Sequence, residues 1–550
     1  MTEGHAEAKS GKSVQVAASA GGGRLSTRSA AVVGIAVLCS RFLGLAREQI
    51  FLNLFGAGFA MDAFVAAFRI PNLLRDLFAE GALSTAFVTT FSRKIQAEGE
   101  ESAWGLARRV ATLAAVSLSA VTVLGILAAP LLVEGLSWGF SPEKKALTTE
   151  LTRLMFPFIL MVSLAALAMG MLNARNVFGM PAMASSFFNI GSIVAGVSVG
   201  WWLDPSFGPR ATLGLAVGTL VGGALQLLVQ MPALRRVGFR FKPDFRWRDE
   251  GVKAVLRLMG PAVVAASAVQ VNVMINSAFA SHLGDGPMSW LNCAFRLMQL
   301  PLGLFGVAIG TVTLPLVSRS AAAGDWGEFR AVLGKGLRLA SLLTVPATVG
   351  LILLARPVIS LIYEHGKFNA TSAAEAAAAL QFYTVGLVAY SAIKILAPAF
   401  YAMDRRRTPM LVSFGAIGVN LVLNWFFAFR LGMGHRGLAL STGCVAVLNC
   451  AALYLLMRRY AGSLHGRFLA ATLARIAAAC VPMAGVCLAA RAWVFPGWAT
   501  MAFPIQAAAL LGTILVAVLV FFGCAILLRI DGLEQLTGML QRRWQRIRGV

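Results

Sequence analysis

Apolar residues run along this chain in fourteen long stretches, parted by short connections that hold most of the charge. With their bounding turn residues, the first eight predict helices at about 28–54, 61–92, 105–134, 149–173, 180–203, 211–234, 254–282 and 287–318. Six more are predicted at about 332–354, 375–402, 409–431, 437–459, 467–492 and 504–528. A helix needs roughly 20 apolar residues to cross the hydrocarbon of a bilayer, and these stretches reach that length. The connections alternate in charge. Even-numbered ones carry Arg93 and Lys94, then Arg175, then the dense run Arg235, Arg236, Arg240, Lys242, Arg246 and Arg248, and later Arg319, Arg330 and Lys335. Arg405, Arg406 and Arg407 follow, and then Arg458, Arg459 and Arg467, whereas odd-numbered connections hold only Lys144, Lys145, Arg210, Arg356, Lys367 and Arg436. Because cations are retained on the cytoplasmic side, the pattern predicts an even number of crossings with both termini in the cytoplasm.

Composition agrees with a membrane solvent. Of 550 residues, 58% are apolar and 13% charged, far from the near-half and one-quarter shares of soluble domains. The net charge of +24 sits mainly in those short connections, where it sets orientation, so nucleic acid is not expected as a partner. Seven cysteines lie singly in apolar runs, and the five histidines fall in the tail or in predicted connections, so neither a metal centre nor a cofactor is expected. Residues 1–27 are polar and rich in Gly, Ser and Ala, and read as a disordered cytoplasmic tail rather than a cleavable signal. Residues 531–550 place Leu533, Leu536, Leu540 and Trp544 on one face and Arg542, Arg543, Arg546 and Arg548 on the other, an amphipathic helix suited to an anionic inner leaflet.

The chain also repeats itself. Ala67-Phe68-Arg69 with Leu77-Phe78 recurs as Ala294-Phe295-Arg296 with Leu304-Phe305 at an offset of 227 residues; Ser163, Ala174 and Pro181 recur as Ser391, Ala402 and Pro409 at 228. Six helices separate equivalent positions, so the halves point the same way through the bilayer, as in transporters whose parallel repeats enclose a midplane site. The expected fold is an all-α polytopic membrane protein of about fourteen transmembrane helices. An N-lobe (28–236) and a C-lobe (250–460) of six helices each would flank a central cationic cavity, with two added helices at 466–530.

An ionised group at membrane depth costs at least about 2.5 kcal/mol, so each needs a cavity, a partner or a task. The first two helices hold Arg41, Arg47, Glu48, Asp62, Arg69, Arg75, Asp76 and Glu80, while the second half holds Arg296 deep in apolar sequence. Pro71 and Pro301 should break the helices that bear Arg75 and Arg296. Guanidiniums gathered in one cavity would repel unless an anion joined them, and their planar fork fits phosphate. Arg41, Arg47, Arg75 and Arg296 are therefore candidates to hold a phosphate-rich head group.

These residues carry a family resemblance. Ser40 to Glu48, Phe55-Gly56-Ala57-Gly58 to Asp62-Ala63-Phe64, Pro71-Asn72-Leu73-Leu74-Arg75 and Phe78 to Ala82 resemble the N-terminal signature of the MurJ (MviN) family. Agreement continues through Leu172-Asn173-Ala174, Met259 to Ala262, Arg296-Leu297 with Pro301, Gly306 to Thr311, His365 to Phe368, and Lys394 with Ala397 to Tyr401. The family comprises bacterial lipid II flippases of the multidrug/oligosaccharidyl-lipid/polysaccharide exporter superfamily. The resemblance implies that Arg41, Arg47, Arg75 and Arg296 bind the diphosphate, with Asp62, Glu80 and Glu48 as supporting acidic residues. It also implies alternating access in the bacterial inner membrane for cell-wall synthesis, a groove for the lipid tail beside the last two helices, and peptidoglycan synthases as partners. Phe295 and Gln299 stand where acidic residues often flank the second-lobe arginine, which puts local charge partners there in doubt.

No nucleotide-binding motif is present, so the expected driving force is the membrane potential or an ion gradient, with Asp62, Glu80, Asn272, Asn276, Asn420 and Asn424 as candidate ion ligands. Three other classes would need different features. A drug exporter of the same superfamily would want an acidic cavity, a membrane enzyme would want paired acids in a sizeable loop, and a scaffold would not need charge at membrane depth.

Overall fold

The computed structural model describes residues 27–77, 83–464 and 466–530. Glu80, the N-terminal tail before Thr27 and the amphipathic segment 531–550 lie outside them. Among the described residues there is no strand, and all fourteen apolar stretches are helical. In order the helices are α1 (Thr27–Phe55), α2 (Phe59–Arg75), α3 (Ser84–Glu98), α4 (Glu100–Leu136), α5 (Pro142–Met155), α6 (Phe158–Ala174) and α7 (Gly179–Leu203). Then come α8 (Thr212–Leu228), α9 (Met231–Arg236), α10 (Glu250–Ser281), α11 (Pro287–Pro301), α12 (Ala308–Ala322), α13 (Trp326–Tyr363) and α14 (Ala370–Thr384). The remainder are α15 (Leu387–Ala402), α16 (Arg407–Asn424), α17 (Gly434–Ala461), α18 (Gly466–Trp493) and α19 (Phe503–Leu527).

Ten of these stretches are long and apolar enough to cross a membrane, and two bent pairs, within α10 and across α14 and α15, raise the number to twelve among the described residues. This falls short of the fourteen expected. The two stretches not among the twelve are α1 and the one from α2 to α3, which hold Arg41, Arg47, Glu48, Asp62, Arg69 and Arg75. The protein is nonetheless a multi-pass α-helical membrane protein.

Element order displays the repeat. The broken pair α5/α6, parted at Phe156 and Pro157, has its counterpart in α14/α15, parted at Val385 and Gly386. The long α4 corresponds to the long α13, and α2 ending at Arg75 corresponds to α11 ending at Pro301. After Pro301 the chain winds through a wide π turn, Leu302–Val307, and Asp76 and Leu77 begin a similar widening after α2. Such turns loosen the carbonyl ladder and are frequent at functional sites.

The chain divides into two compact units. The first holds the described residues within Met1–Ile50, Ala67–Val133 and Ala146–Ser267; the second holds Phe51–Ala66, Glu134–Lys145 and those within Ala268–Val550. In the first, α7 and α8 pack at backbone distance. A Cβ on Gly218 would lie 2.5 Å from the Ser192 carbonyl oxygen and 2.6 Å from the Gly196 nitrogen, so only glycine permits the approach. Van der Waals contact through small residues is what holds helices together where lipid removes the hydrophobic drive. In the second unit, α18 and α19 pack on α13, with Ile476, Cys480, Met483 and Phe521 closing over Leu342 and Leu354. The Trp498 indole donates to Ser360 Oγ at 2.9 Å, tying the turn between these last helices to the end of α13.

Candidate functional site

The arginines are set by helices whose shapes the sequence dictates. In the first unit, α7 grips α1 on both sides of the Arg41 to Arg47 segment. Asn189 donates to the Ser40 carbonyl at 3.2 Å, and the Arg47 guanidinium stacks over the Phe188 ring at 4.9 Å. Stacking on an aromatic face fixes the plane of a guanidinium. Arg41 lies one face away: it is exposed, in line with Ile35, Leu38 and Phe42, which are also exposed at helical spacing. Glu48 is buried, at 5% exposure. Arg75 closes α2, one turn beyond the buried Pro71, and its Nε and Nη2 donate to Asp76 at 3.1 and 2.8 Å. That pair is about one-quarter exposed, so the carboxylate screens the cation without removing it from water.

Arg296 belongs to the second unit. It is half-buried on α11 between Cys293, Ala294, Leu297 and Met298, all buried, while the neighbouring Phe295 ring packs against Tyr383 of α14 at 5.4 Å. The candidate set is thus distributed three to one over the two units.

Asp62 has a different character. It is fully buried in the second unit, at 0% exposure, and accepts four hydrogen bonds: Gly286 N at 2.6 Å, Ser289 N at 2.9 Å, Ser289 Oγ at 2.6 Å and Lys144 Nζ at 3.3 Å. A carboxylate facing the first backbone N–H groups of α11 meets the positive end of the helix dipole, which stabilises its charge. Lys144, itself buried, is held a second time by Asp285 at 2.7 Å. Sequence reading noticed Lys144 only as a connection charge and did not see Ser289; the residues are 82 and 227 positions from Asp62. The separation of 227 is the repeat offset, so Asp62 touches its own counterpart. No local pattern announces that, but the offset itself could have suggested it.

A second polar cluster joins α10, α16 and α17. Asn420 and Asn424 donate to Asn276 Oδ1 at 2.8 and 2.7 Å, Asn276 donates to Thr442 Oγ1 at 3.1 Å, and Ser441 donates to Asn420 Oδ1 at 3.0 Å. Asn420 and Asn424 are fully buried, and the Asn424 Oδ1 has no hydrogen-bond partner among the described residues. Three of the four amides singled out in the sequence are therefore one network.

Outside the membrane-spanning helices, Asp244 is held far below the ordinary carboxylate range. Arg246 beside it donates at 2.7 and 2.9 Å, which outweighs partial burial, and Arg109 adds a bond at 3.1 Å. Glu364, after α13, is also lowered: its burial works in the opposite direction and is overcome by bonds from Arg356 and Ser360.

Comparison with known proteins fits this architecture. The family model described as lipid II flippase MurJ matches residues 51–509. The lipid II flippase MurJ of Burkholderia cenocepacia is 40% identical over 428 residues, covering 77% of this chain and 82% of that protein. The probable lipid II flippase MurJ of Vibrio cholerae is 35% identical over 436 residues, 78% of this chain and 82% of its own. Among solved structures, a lipid II flippase MurJ in an inward closed conformation superposes with a TM-score of 0.72 at 25% identity, over 90% of this chain and 98% of that one. An inward-facing MATE family multidrug transporter of the MOP superfamily gives a TM-score of 0.67 at 15% identity, a likeness of fold alone, over 77% of this chain and 95% of the other. A match over so much of the chain, with helix order and breaks to suit a transporter, places the protein in the lipid II flippase MurJ family.

Proposed function

We propose that this protein carries lipid II, a polyprenyl diphosphate bearing a muropeptide, from the cytoplasmic to the outer leaflet of a bacterial inner membrane, with both termini cytoplasmic. The observation that carries the reading is the family match over residues 51–509. The arginines give it a chemistry. Moving the head group means carrying a diphosphate through hydrocarbon, and an unpaired charge there costs several kcal/mol. Arg47 over the Phe188 ring, Arg75 at the end of α2, Arg41 and Arg296 supply forked donors to offset that cost. Access alternates as the helices rebend at their breaks, while the apolar tail stays in lipid beside α18 and α19. Glu48 and Glu80 are the supporting acidic residues of this reading; Asp62 serves by fixing the start of α11.

The work is drawn from the membrane potential or an ion gradient, the former supplying about 2.3 kcal/mol per charge per 100 mV. The amide network of Asn276, Asn420 and Asn424 supports a monovalent-cation site, because the Asn424 oxygen is an acceptor left over inside a buried cluster. Peptidoglycan synthases consume the delivered precursor. The test is rescue: a bacterium depleted of its flippase should grow with the wild-type gene and fail with each of Arg41→Ala, Arg47→Ala, Arg75→Ala and Arg296→Ala, at equal membrane abundance. Normal growth with all four would end this assignment of the site.

A further inference from the structure

The connection between the repeats, residues 237–249, is irregular yet firmly held. Phe239 is buried against Trp104 of α4 with ring centroids 5.7 Å apart, Arg108 Nε donates to the Arg240 carbonyl at 3.1 Å, and the Asp244 amide donates to Thr112 Oγ1 at 3.0 Å. Arg109 bridges Asp244 and Asp249 at 3.1 and 2.7 Å. Each of these contacts is with the first turns of α4, and this fixes depth. The charge-free run of α4 extends from Val110 to Val133, 24 residues. At 1.5 Å per residue that is about 36 Å, enough to fill a hydrocarbon slab of ~30 Å. Arg108 and Arg109 therefore mark the cytoplasmic edge of the slab, and the segment fastened to them lies at head-group level.

What the segment shows there is unusual for a solvated loop. Arg240, Lys242, Arg246 and Arg248 are exposed, and between them Phe241 and Phe245 are exposed by 55% and 64%. Pro243 and the Asp244 clamp keep this alternation from collapsing onto itself. Apolar rings at an interface flanked by cations match a leaflet of anionic lipid, whose charge attracts the cations while its acyl boundary takes the rings.

We propose that residues 240–248 form a binding surface for anionic phospholipid head groups of the cytoplasmic leaflet, with Arg240, Lys242, Arg246 and Arg248 on the phosphates and Phe241 and Phe245 inserted as anchors. Each cation near such a surface strengthens attraction about fivefold. The test uses full-length protein in detergent, titrated with phosphatidylglycerol or phosphatidylcholine, with bound lipid counted by native mass spectrometry. The variant R240Q/K242Q/R248Q spares Arg246 and hence the Asp244 clamp. It should bind phosphatidylglycerol at least about tenfold more weakly, with phosphatidylcholine unchanged. Phe241→Ser with Phe245→Ser should weaken both lipids, and R406Q/R407Q, in a basic connection of the second unit, should cost clearly less than the triple variant. Unchanged phosphatidylglycerol binding by the triple variant would overturn the proposal, as would an equal loss in the R406Q/R407Q control. Unfolding temperatures of all variants verify that the fold is kept.

Discussion

Helices α2 and α11 are the same element twice over, and they differ in charge. Each begins at the contact of Asp62 with Ser289, each carries an arginine at the repeat-equivalent position, Arg69 or Arg296, and each ends at a break. Beyond that the first copy continues with Arg75 and Asp76, where the second has Leu302 and Gly303. The backbone device was duplicated while the chemistry was placed mostly in one copy. Break and charge are thus separable: the break follows from proline and wide turns, the cationic character from a few residues that only the first copy retains.

The contact of the two copies should give the largest effect. Asp62→Ala leaves two backbone donors without their acceptor and takes from the buried Lys144 one of its two carboxylates, Asp285 remaining; breaking a buried pair costs about 3–5 kcal/mol, measurable as a drop in thermal unfolding temperature. Ser289→Ala removes one hydroxyl donor while the Ser289 amide still reaches Asp62, so about 1 kcal/mol is expected. Equal losses would mean that the charge of Asp62 does not set the asymmetry.

Transport comes next. Arg75→Ala and Arg296→Ala should each lower lipid II translocation about tenfold to a hundredfold, the worth of a charge-assisted hydrogen bond, with stability little changed. Lysine at either position should restore part of the rate, since it keeps the charge and loses the fork. Full recovery with lysine would show that bidentate geometry is not used.

A smaller effect tests the break itself. Where the first copy has Ala79 the second has Gly306, and a Cβ there would meet Ser391 Oγ at 2.9 Å and Ser391 Cα at 3.3 Å. Gly306→Ala should cost about 1–3 kcal/mol by overpacking the π turn against α15; differential scanning fluorimetry would read it. The smallest effect lies in the connection between copies. The Asp244 pKa is depressed by Arg246, so its contribution is fully present at neutral pH, begins to fade as pH falls to its unfolded value near 3.8, and is gone once pH has fallen through the lower folded value. Hydrogen exchange of residues 240–249, corrected for intrinsic rates, should show constant protection from pH 7 to about 4.

The fourteen apolar stretches were legible because their runs outlast any soluble pattern, and the break after Pro301 was legible from that residue, whereas α2 runs through Pro71 unbroken and widens only after Arg75. The extent of α5 was not. Its first two turns, Pro142 to Glu150, are polar, and only the tertiary partners of Lys144 explain why the helix starts so early. The start of α13 was misjudged similarly, although Asp325 caps it by accepting from Glu328 N at 2.8 Å. At the site, charge in apolar surroundings exposed the arginines; their partners Phe188 and Asp76 follow from geometry, as does the conversion of Asp62 from a cavity acid into a helix anchor.

The central claim is that these arginines carry a diphosphate across the bilayer. Purified protein reconstituted into liposomes with fluorescent lipid II in the inner leaflet, probed from outside, tests it most directly. Wild-type protein should expose lipid II but not a labelled phosphatidylcholine, and the Arg75→Ala, Arg296→Ala double variant should expose neither. Equal exposure of lipid II by the double variant, inserted at the same density, would contradict it.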